Sequence, residues 1–235
     1  MLSPYVVEVL IEVARVGICG SDVNWGYRPD KVISAPMVLG HETSGIVKRL
    51  GKKVTSVSVG DRVAIEPGLP CRRCRICLKG RYNLCQKIRF CATPPVNGTL
   101  CRYFIWDEDF CHKLPDDMSL DEGALLEPLS VAIHACRRGN VAIGSKVLVL
   151  GAGPIGLLCM MTAKSMGATD VVITDIDESR LSMAKGFGAS CAINVLRNAE
   201  EVPQLIRNSF HGEGPDVTIE CSGAQQSVLL GIEVG

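Results

Sequence analysis

The 235-residue sequence predicts an α/β protein, a small β-barrel followed by part of a doubly wound parallel sheet. Three observations carry that prediction. From Val6 to about Lys113, short β-type runs are punctuated by Gly and Pro, as in small barrels. After Pro115, Ser119 followed by Asp121 and Glu122 opens a helical stretch running through Leu125 to Cys136. From Lys146 onward, strand and helix alternate, which is the pattern of βαβ units.

In the first part, Val9–Val13, Gly45–Val47 and Arg62–Ile65 read as strands, and no helix-period stretch of length stands out. In the second part, Val147–Leu150, Val171–Thr174, Cys191–Asn194 and Val217–Glu220 read as strands. Ile155–Met166 and Glu178–Phe187 read as helices. The expected domains are therefore 1–120 and 121–235.

Composition narrows the function classes. With 25 Lys plus Arg against 25 Asp plus Glu, the balance predicts no general attraction to nucleic acid or to an anionic membrane. No run approaches a membrane span, and the first residues lack the basic and apolar regions of a secretory signal, so a cytosolic home is expected. Twelve cysteines are many for a reducing compartment. Clustered ones are expected to bind metal, and scattered ones to act as small buried apolar groups.

Cys71, Cys74, Cys77 and Cys85 have the spacing C-x2-C-x2-C-x7-C within 15 residues. Four thiolates so close can close a tetrahedral zinc site with no position left for substrate, so a structural role is expected. Arg72, Arg73, Arg75, Lys79 and Arg81 lie beside them and would offset the thiolate charge. The competing readings are an iron–sulfur cluster and four unrelated loop cysteines. Cys19, His41 and Glu42 offer sulfur, nitrogen and oxygen, a three-ligand set that would leave one position open. Spacing alone favours a structural reading of that Cys and His.

Val147–Leu150 runs into Gly151-Ala152-Gly153-Pro154-Ile155-Gly156, a G-x-G-x-x-G turn between a strand and a helix. Gly151 permits the tight turn, Gly153 lets the backbone approach a pyrophosphate, and Gly156 lets helix and strand pack closely. Asp175 ends the next strand 19 residues after Gly156, where a carboxylate accepts from ribose hydroxyls and favours NAD over NADP. Arg180, one turn into the following helix, either stacks on adenine or is a solvated helix residue.

Together these segments resemble the zinc-containing medium-chain dehydrogenases, and within them the sorbitol (polyol) dehydrogenase branch. The resemblance runs from about Glu8 to the end. It rests most on Val16–Asp22, Pro36–Glu42, Phe90–Pro95, Gly123–Val131 and His134–Arg138. Ala92-Thr93-Pro94-Pro95 and Glu127-Pro128-Leu129-Ser130 separate this branch from simple alcohol dehydrogenases. The resemblance implies a GroES-like barrel domain and a Rossmann domain. It implies a catalytic zinc on Cys19, His41 and Glu42, a second, structural zinc, and NAD bound by Gly151, Gly153, Ile155, Gly156, Asp175 and Arg180. It further implies that Glu127 contacts the zinc-bound water or substrate and that the Ser21 hydroxyl relays a proton. The reaction implied is oxidation of a polyol to a ketose by a homodimer or homotetramer.

Three departures from the family pattern stand out. The loop from Asp22 to His41 is short. Asn24 and Trp25 replace a His and a substrate-contacting aromatic, Trp25 keeping a flat apolar wall. Only four of the six parallel strands of a complete dinucleotide fold are counted. That count predicts an exposed apolar edge at strand four and a chain that is unstable and nearly inactive alone. The readings carried alongside are a threonine or alcohol dehydrogenase of the same superfamily and a non-catalytic zinc- and NAD-binding form.

Overall fold

The structure, a computed structural model, describes residues 5–27, 36–197 and 199–235, with the side chains of 25–27 left aside. The Trp25 side chain, expected at the substrate, lies outside the described residues. The chain divides into two compact units, Met1–Glu127 and Pro128–Gly235.

In the first unit, strand β1 (Glu8–Gly17) leads to helix α1 (Gly20–Tyr27), then β2 (Glu42–Leu50), β3 (Arg62–Ile65) and β4 (Gly68–Leu69). The short helix α2 (Arg75–Leu78) and β5 (Arg89–Phe90) follow, and then β6 (Tyr103–Asp107) and β7 (Cys111–Lys113). Five of these form an antiparallel sheet in the order β6-β1-β2-β3-β7, while β4 pairs with β5. Inward-facing Val9 and Ile11 of β1, Val47 of β2, Val63 and Ile65 of β3, and Phe104 and Trp106 of β6 make the core. Val9 and Ile11, Val63 and Ile65, and Phe104 and Trp106 each lie two residues apart, so each pair faces one side of its strand.

Helix α3 (Leu120–Arg138) opens on a reciprocal cap. Ser119 Oγ accepts from the Glu122 N–H at 3.2 Å, and Glu122 Oε2 accepts from the Ser119 N–H at 2.7 Å. The division between units falls inside this helix rather than at residue 120. Its first turn belongs to the first unit because Ser44 Oγ donates to the Leu120 carbonyl and a Cβ at Gly123 would press on Leu114 and Ser44. Pro128 then removes one helical N–H donor at the division.

In the second unit, β8 (Lys146–Leu150), α4 (Pro154–Ser165), β9 (Asp170–Asp175), α5 (Glu178–Gly186) and β10 (Cys191–Asn194) follow, then α6 (Val202–Ser209), β11 (Val217–Glu220) and α7 (Gln225–Val234). The parallel sheet order is β10-β9-β8-β11, which is 3-2-1-4 in chain order. Val147, Val149, Val171 and Ile173 bury against α3–α5 residues Ala132, Cys159, Met160 and Leu181. Leu148, Leu150 and Val172 bury on the opposite face against Ile206 and Phe210. Two-sided burial explains why these strands read as continuous apolar runs.

Strand β11 does not present the apolar edge expected of it, since it buries Ile219 and exposes Thr218 and Glu220. The short strands β4 to β7 and the helices α1, α2, α6 and α7 are not among the elements expected from the sequence. Helix α1 has most of its described side chains exposed and so lacks an apolar stripe, while α7 is a short apolar run in which strand and helix look alike. Among the described residues, no helix is long and apolar enough to cross a membrane.

Candidate active site and metal centres

The first cluster is built by a tight loop. Cys71, Cys74, Cys77 and Cys85 bring their sulfurs within 4.8 Å of one another. Individual Sγ–Sγ separations are 3.4 Å for Cys74–Cys77 and 4.0 Å for Cys71–Cys77 and Cys74–Cys85. A tetrahedron with zinc–sulfur bonds of about 2.3 Å has edges of about 3.8 Å, so the sulfurs already outline that shape. The backbone N–H of Cys71 donates to Cys85 Sγ and that of Cys77 to Cys74 Sγ, each at 3.5 Å. N–H donors aimed at sulfur favour thiolate. Those of Arg73 and Cys74 pull the Cys71 thiol down to about 6. Burial and the neighbouring sulfurs push Cys77 up.

Arg72 turns the loop with φ of 61°. Its guanidinium compensates this left-handed backbone by reaching Asp107 at 2.9 Å and Asp109 at 3.1 Å over the Phe110 ring. Tyr82 OH donates to Glu66 Oε1 at 2.8 Å, tying the lobe to the end of β3.

The second cluster joins three elements. Cys19 sits between β1 and α1, His41 just before β2, and Glu42 on its first residue, with one donor atom from each within 4.8 Å of the others. Gly17 pairs with Glu42 across the ladder. A Cβ at Gly17 would sit 2.1 Å from Glu42 Oε2, so glycine leaves room for that carboxylate. Gly40 takes φ of +90°, and a Cβ there would clash with Leu100 at 2.7 Å.

Asp22, to which sequence reasoning assigns no role, organises the site. It is 5% exposed. Its Oδ2 accepts from the Cys19 N–H at 3.0 Å, and its Oδ1 accepts from the Gly40 N–H at 2.9 Å and lies 3.7 Å from His41 Nδ1. One carboxylate thus fixes the loops of two ligands and faces the ring nitrogen of the histidine, as carboxylates behind metal-bound histidines do. The Phe90 ring stands 6.0 Å from the His41 ring. The C-x-x-D spacing was the available signal for Asp22.

Glu127, on α3, is half-buried. Burial, reinforced by the Glu42 carboxylate, pushes its carboxyl up to about 7. Glu127 and Glu42 therefore share one neighbourhood, as two like charges a metal ion would relieve. Ser21 lies exposed in the first turn of α1, two residues after Cys19.

In the second unit, Gly151 ends β8 with φ of +102°, held by its N–H donating to the Thr174 carbonyl at 2.8 Å. A Cβ at Gly156 would stand 1.8 Å from the Gly151 carbonyl oxygen, whereas one at Gly153 would meet nothing within 4 Å. Two of the three glycines thus serve the protein's own packing, and Gly153 leaves space above the turn. Helix α4 has Gly153 as N-cap and no side-chain cap, leaving first-turn N–H donors for an anion. Ile155, in that turn, packs its side chain on the core. Asp175 is 8% exposed and accepts from the Ala152 N–H at 2.6 Å and the Asp177 N–H at 2.9 Å. Those two bonds fix its orientation while a carboxylate retains further acceptor sites. The exposed Arg180 guanidinium lies 4.0 Å from Asp175.

Residues 6–116 match the alcohol dehydrogenase GroES-like domain, and residues 154–234 match the zinc-binding dehydrogenase domain. The chain is 52% identical to human sorbitol dehydrogenase over 231 residues, 96% of this chain and 64% of that protein. It is 47% identical to D-xylulose reductase A of Aspergillus oryzae over 235 residues, 97% of this chain and 65% of that protein. An Escherichia coli oxidoreductase/dehydrogenase of unknown specificity superposes with a TM-score of 0.93 at 39% identity, covering 100% of this chain and 68% of that one. The chain thus spans 64% to 65% of the length of these two curated relatives. With two candidate metal-ligand clusters on a GroES-like unit and a glycine turn on a parallel sheet, it belongs to the zinc-containing medium-chain dehydrogenase family.

Proposed function

We propose that this chain carries the zinc and NAD sites of a cytosolic polyol dehydrogenase, oxidising a secondary alcohol of a sorbitol- or xylitol-like substrate to a ketose. The carrying observation is the convergence of Cys19, His41 and Glu42 beside the raised carboxyl of Glu127. The names of the relatives, sorbitol dehydrogenase and D-xylulose reductase, support the substrate class.

Zinc held by Cys19, His41 and Glu42 supplies Lewis acidity that lowers the pKa of an alcohol. The chain's own groups do the rest. Asp22 holds the Cys19 and His41 loops in place. Glu127, near neutral pH in its protonation, can hold or release a proton beside Glu42. Ser21 relays the hydroxyl proton outward from its exposed helical turn. The uncapped start of α4 would take the pyrophosphate of NAD, and Asp175 would accept from the ribose hydroxyls, with Arg180 beside that carboxylate. Zinc held by Cys71, Cys74, Cys77 and Cys85 would have no open position and would stabilise the fold. The free state of all twelve cysteines supports a reducing compartment. Assembly to a dimer or tetramer is read by sedimentation.

The test is steady-state oxidation of sorbitol, xylitol, threonine and ethanol by zinc-loaded protein with NAD or NADP. Whatever the absolute rate, the polyols are expected to be oxidised ahead of threonine and ethanol, and NAD to be used ahead of NADP. Preference for threonine or ethanol overturns the substrate class, and two bound zincs with NAD binding but no turnover overturns the enzymatic reading. For the cofactor site, Gly153→Ala should shift the thermal midpoint by no more than about 2–4 °C while weakening NAD in a binding titration. Unchanged NAD affinity would remove the turn from the cofactor site.

A further inference from the structure

The zero net charge of this chain hides a strong asymmetry. Residues 67–106 contain no Asp or Glu and hold eight of the 25 basic residues, so the other 195 residues carry 17 basic against 25 acidic, a balance of −8. Seven of the eight lie between Arg72 and Arg89, on and around the four-cysteine lobe, and all seven are exposed. Zinc with four thiolates carries two negative charges, which leaves the lobe at about +5.

Two of these cations are engaged. Arg72 pairs with Asp107 and Asp109, and Arg89 lies over the Trp106 ring. The side-chain cations of Arg73, Arg75, Lys79, Arg81 and Lys87 have no ion-pair or hydrogen-bond partner among the described residues. Leucines accompany them on the same metal-closed loop, with Leu78 75% exposed and Leu84 52% exposed.

We infer that the four-cysteine lobe is a docking surface for an anionic lipid bilayer. Free cations beside exposed aliphatic side chains match a surface with negative headgroups over an acyl boundary. A nucleic acid is the poorer fit, because bases are held by stacking on flat rings. The lobe's own aromatic residue is committed, since Tyr82 bonds Glu66 and meets the Phe110 ring edge-on. No helix is needed to cross the bilayer, so the contact is peripheral. The cytosolic leaflet is the anionic one.

The test is co-sedimentation of the zinc-loaded full chain with vesicles of phosphatidylcholine alone or with about a third phosphatidylserine. Binding to the anionic vesicles only, weakening between 0.1 M and 0.5 M salt, is expected. Each free cation removed should lower partitioning by about fivefold, so Lys79→Glu with Arg81→Glu and Lys87→Glu should abolish it. Leu78→Ser with Leu84→Ser should weaken it at unchanged salt dependence. Unaltered circular dichroism and zinc content in these variants separate loss of docking from loss of the lobe. Equal binding to neutral vesicles, no binding at 0.1 M salt, tighter binding to a single-stranded RNA oligomer, or self-association that the charge reversals abolish would overturn the inference.

Discussion

The two candidate metal clusters of the first unit are built from opposite logics. The four-cysteine lobe takes its ligands from 15 consecutive residues, offers one donor type, and aims backbone N–H groups at its sulfurs. The Cys19–His41–Glu42 cluster takes its ligands from the ends of two strands, offers three donor types, and is held by the single carboxylate of Asp22. A closed set of four sulfurs can only hold the fold. A mixed set of three has an open position and depends on the sheet to assemble it. The lobe should therefore govern stability and the mixed cluster chemistry, and substitutions can separate the two.

The largest effect is expected at the mixed cluster. His41→Ala should lower polyol oxidation at least about a thousandfold, because several kcal/mol of Lewis-acid stabilisation is lost at tenfold per ~1.4 kcal/mol. Its thermal midpoint should stay near that of the parent. In the lobe, Cys74→Ser should release one zinc per chain and lower the thermal midpoint by on the order of 10 °C, or about 3–4 kcal/mol. If the two variants exchanged phenotypes, the division of labour would be reversed.

Asp22→Asn should keep the fold and weaken zinc at the mixed cluster about 10–100-fold in a chelator competition, leaving the lobe zinc unaffected. Equal weakening at both sites would mean that Asp22 acts on the unit as a whole.

The smallest effect concerns the anchor of the lobe. His112 Nε2 lies 3.1 Å from Glu66 Oε2. The Glu66 partnership raises the His112 pKa, so its contribution is present below the ordinary imidazole value of 6.5 and is lost as pH rises through the raised value. Burial of Glu66 opposes its ionisation, but the hydrogen bonds from His112 and Tyr82 outweigh it and hold the pKa below the ordinary 4.5. That contribution is present above pH 4.5 and is lost as pH falls. The pair therefore helps most between about pH 4.5 and 6.5. Because His112 is well exposed, it adds less than about 1 kcal/mol. Denaturation midpoints at pH 5.5 and 8 should converge in His112→Ala. An undiminished difference would assign that pH dependence to other groups.

What the sequence disclosed follows from how locally each feature is encoded. The lobe and the glycine turn were legible because neighbours along the chain make them, and the strands of the parallel sheet were legible because burial on both faces leaves uninterrupted apolar runs. The mixed cluster needed the family resemblance, since Cys19 and His41 meet only when β1 and β2 pair. Asp22 was missed for the same reason, as its second partner is the Gly40 N–H, 18 residues away. Of Gly151, Gly153 and Gly156, only Gly153 has open space where a Cβ would stand. Helix α1 has no apolar stripe to announce it. The balanced charge concealed the basic lobe because the count was taken over the whole chain.

The most direct measurement is the zinc count by native mass spectrometry of the parent, His41→Ala and Cys74→Ser. Two zincs in the parent and one in each variant, with the remaining zinc exchanging with a chelator faster in Cys74→Ser than in His41→Ala, is the predicted result. One zinc in the parent, or a single substitution that empties both sites, would contradict the existence of two independent centres.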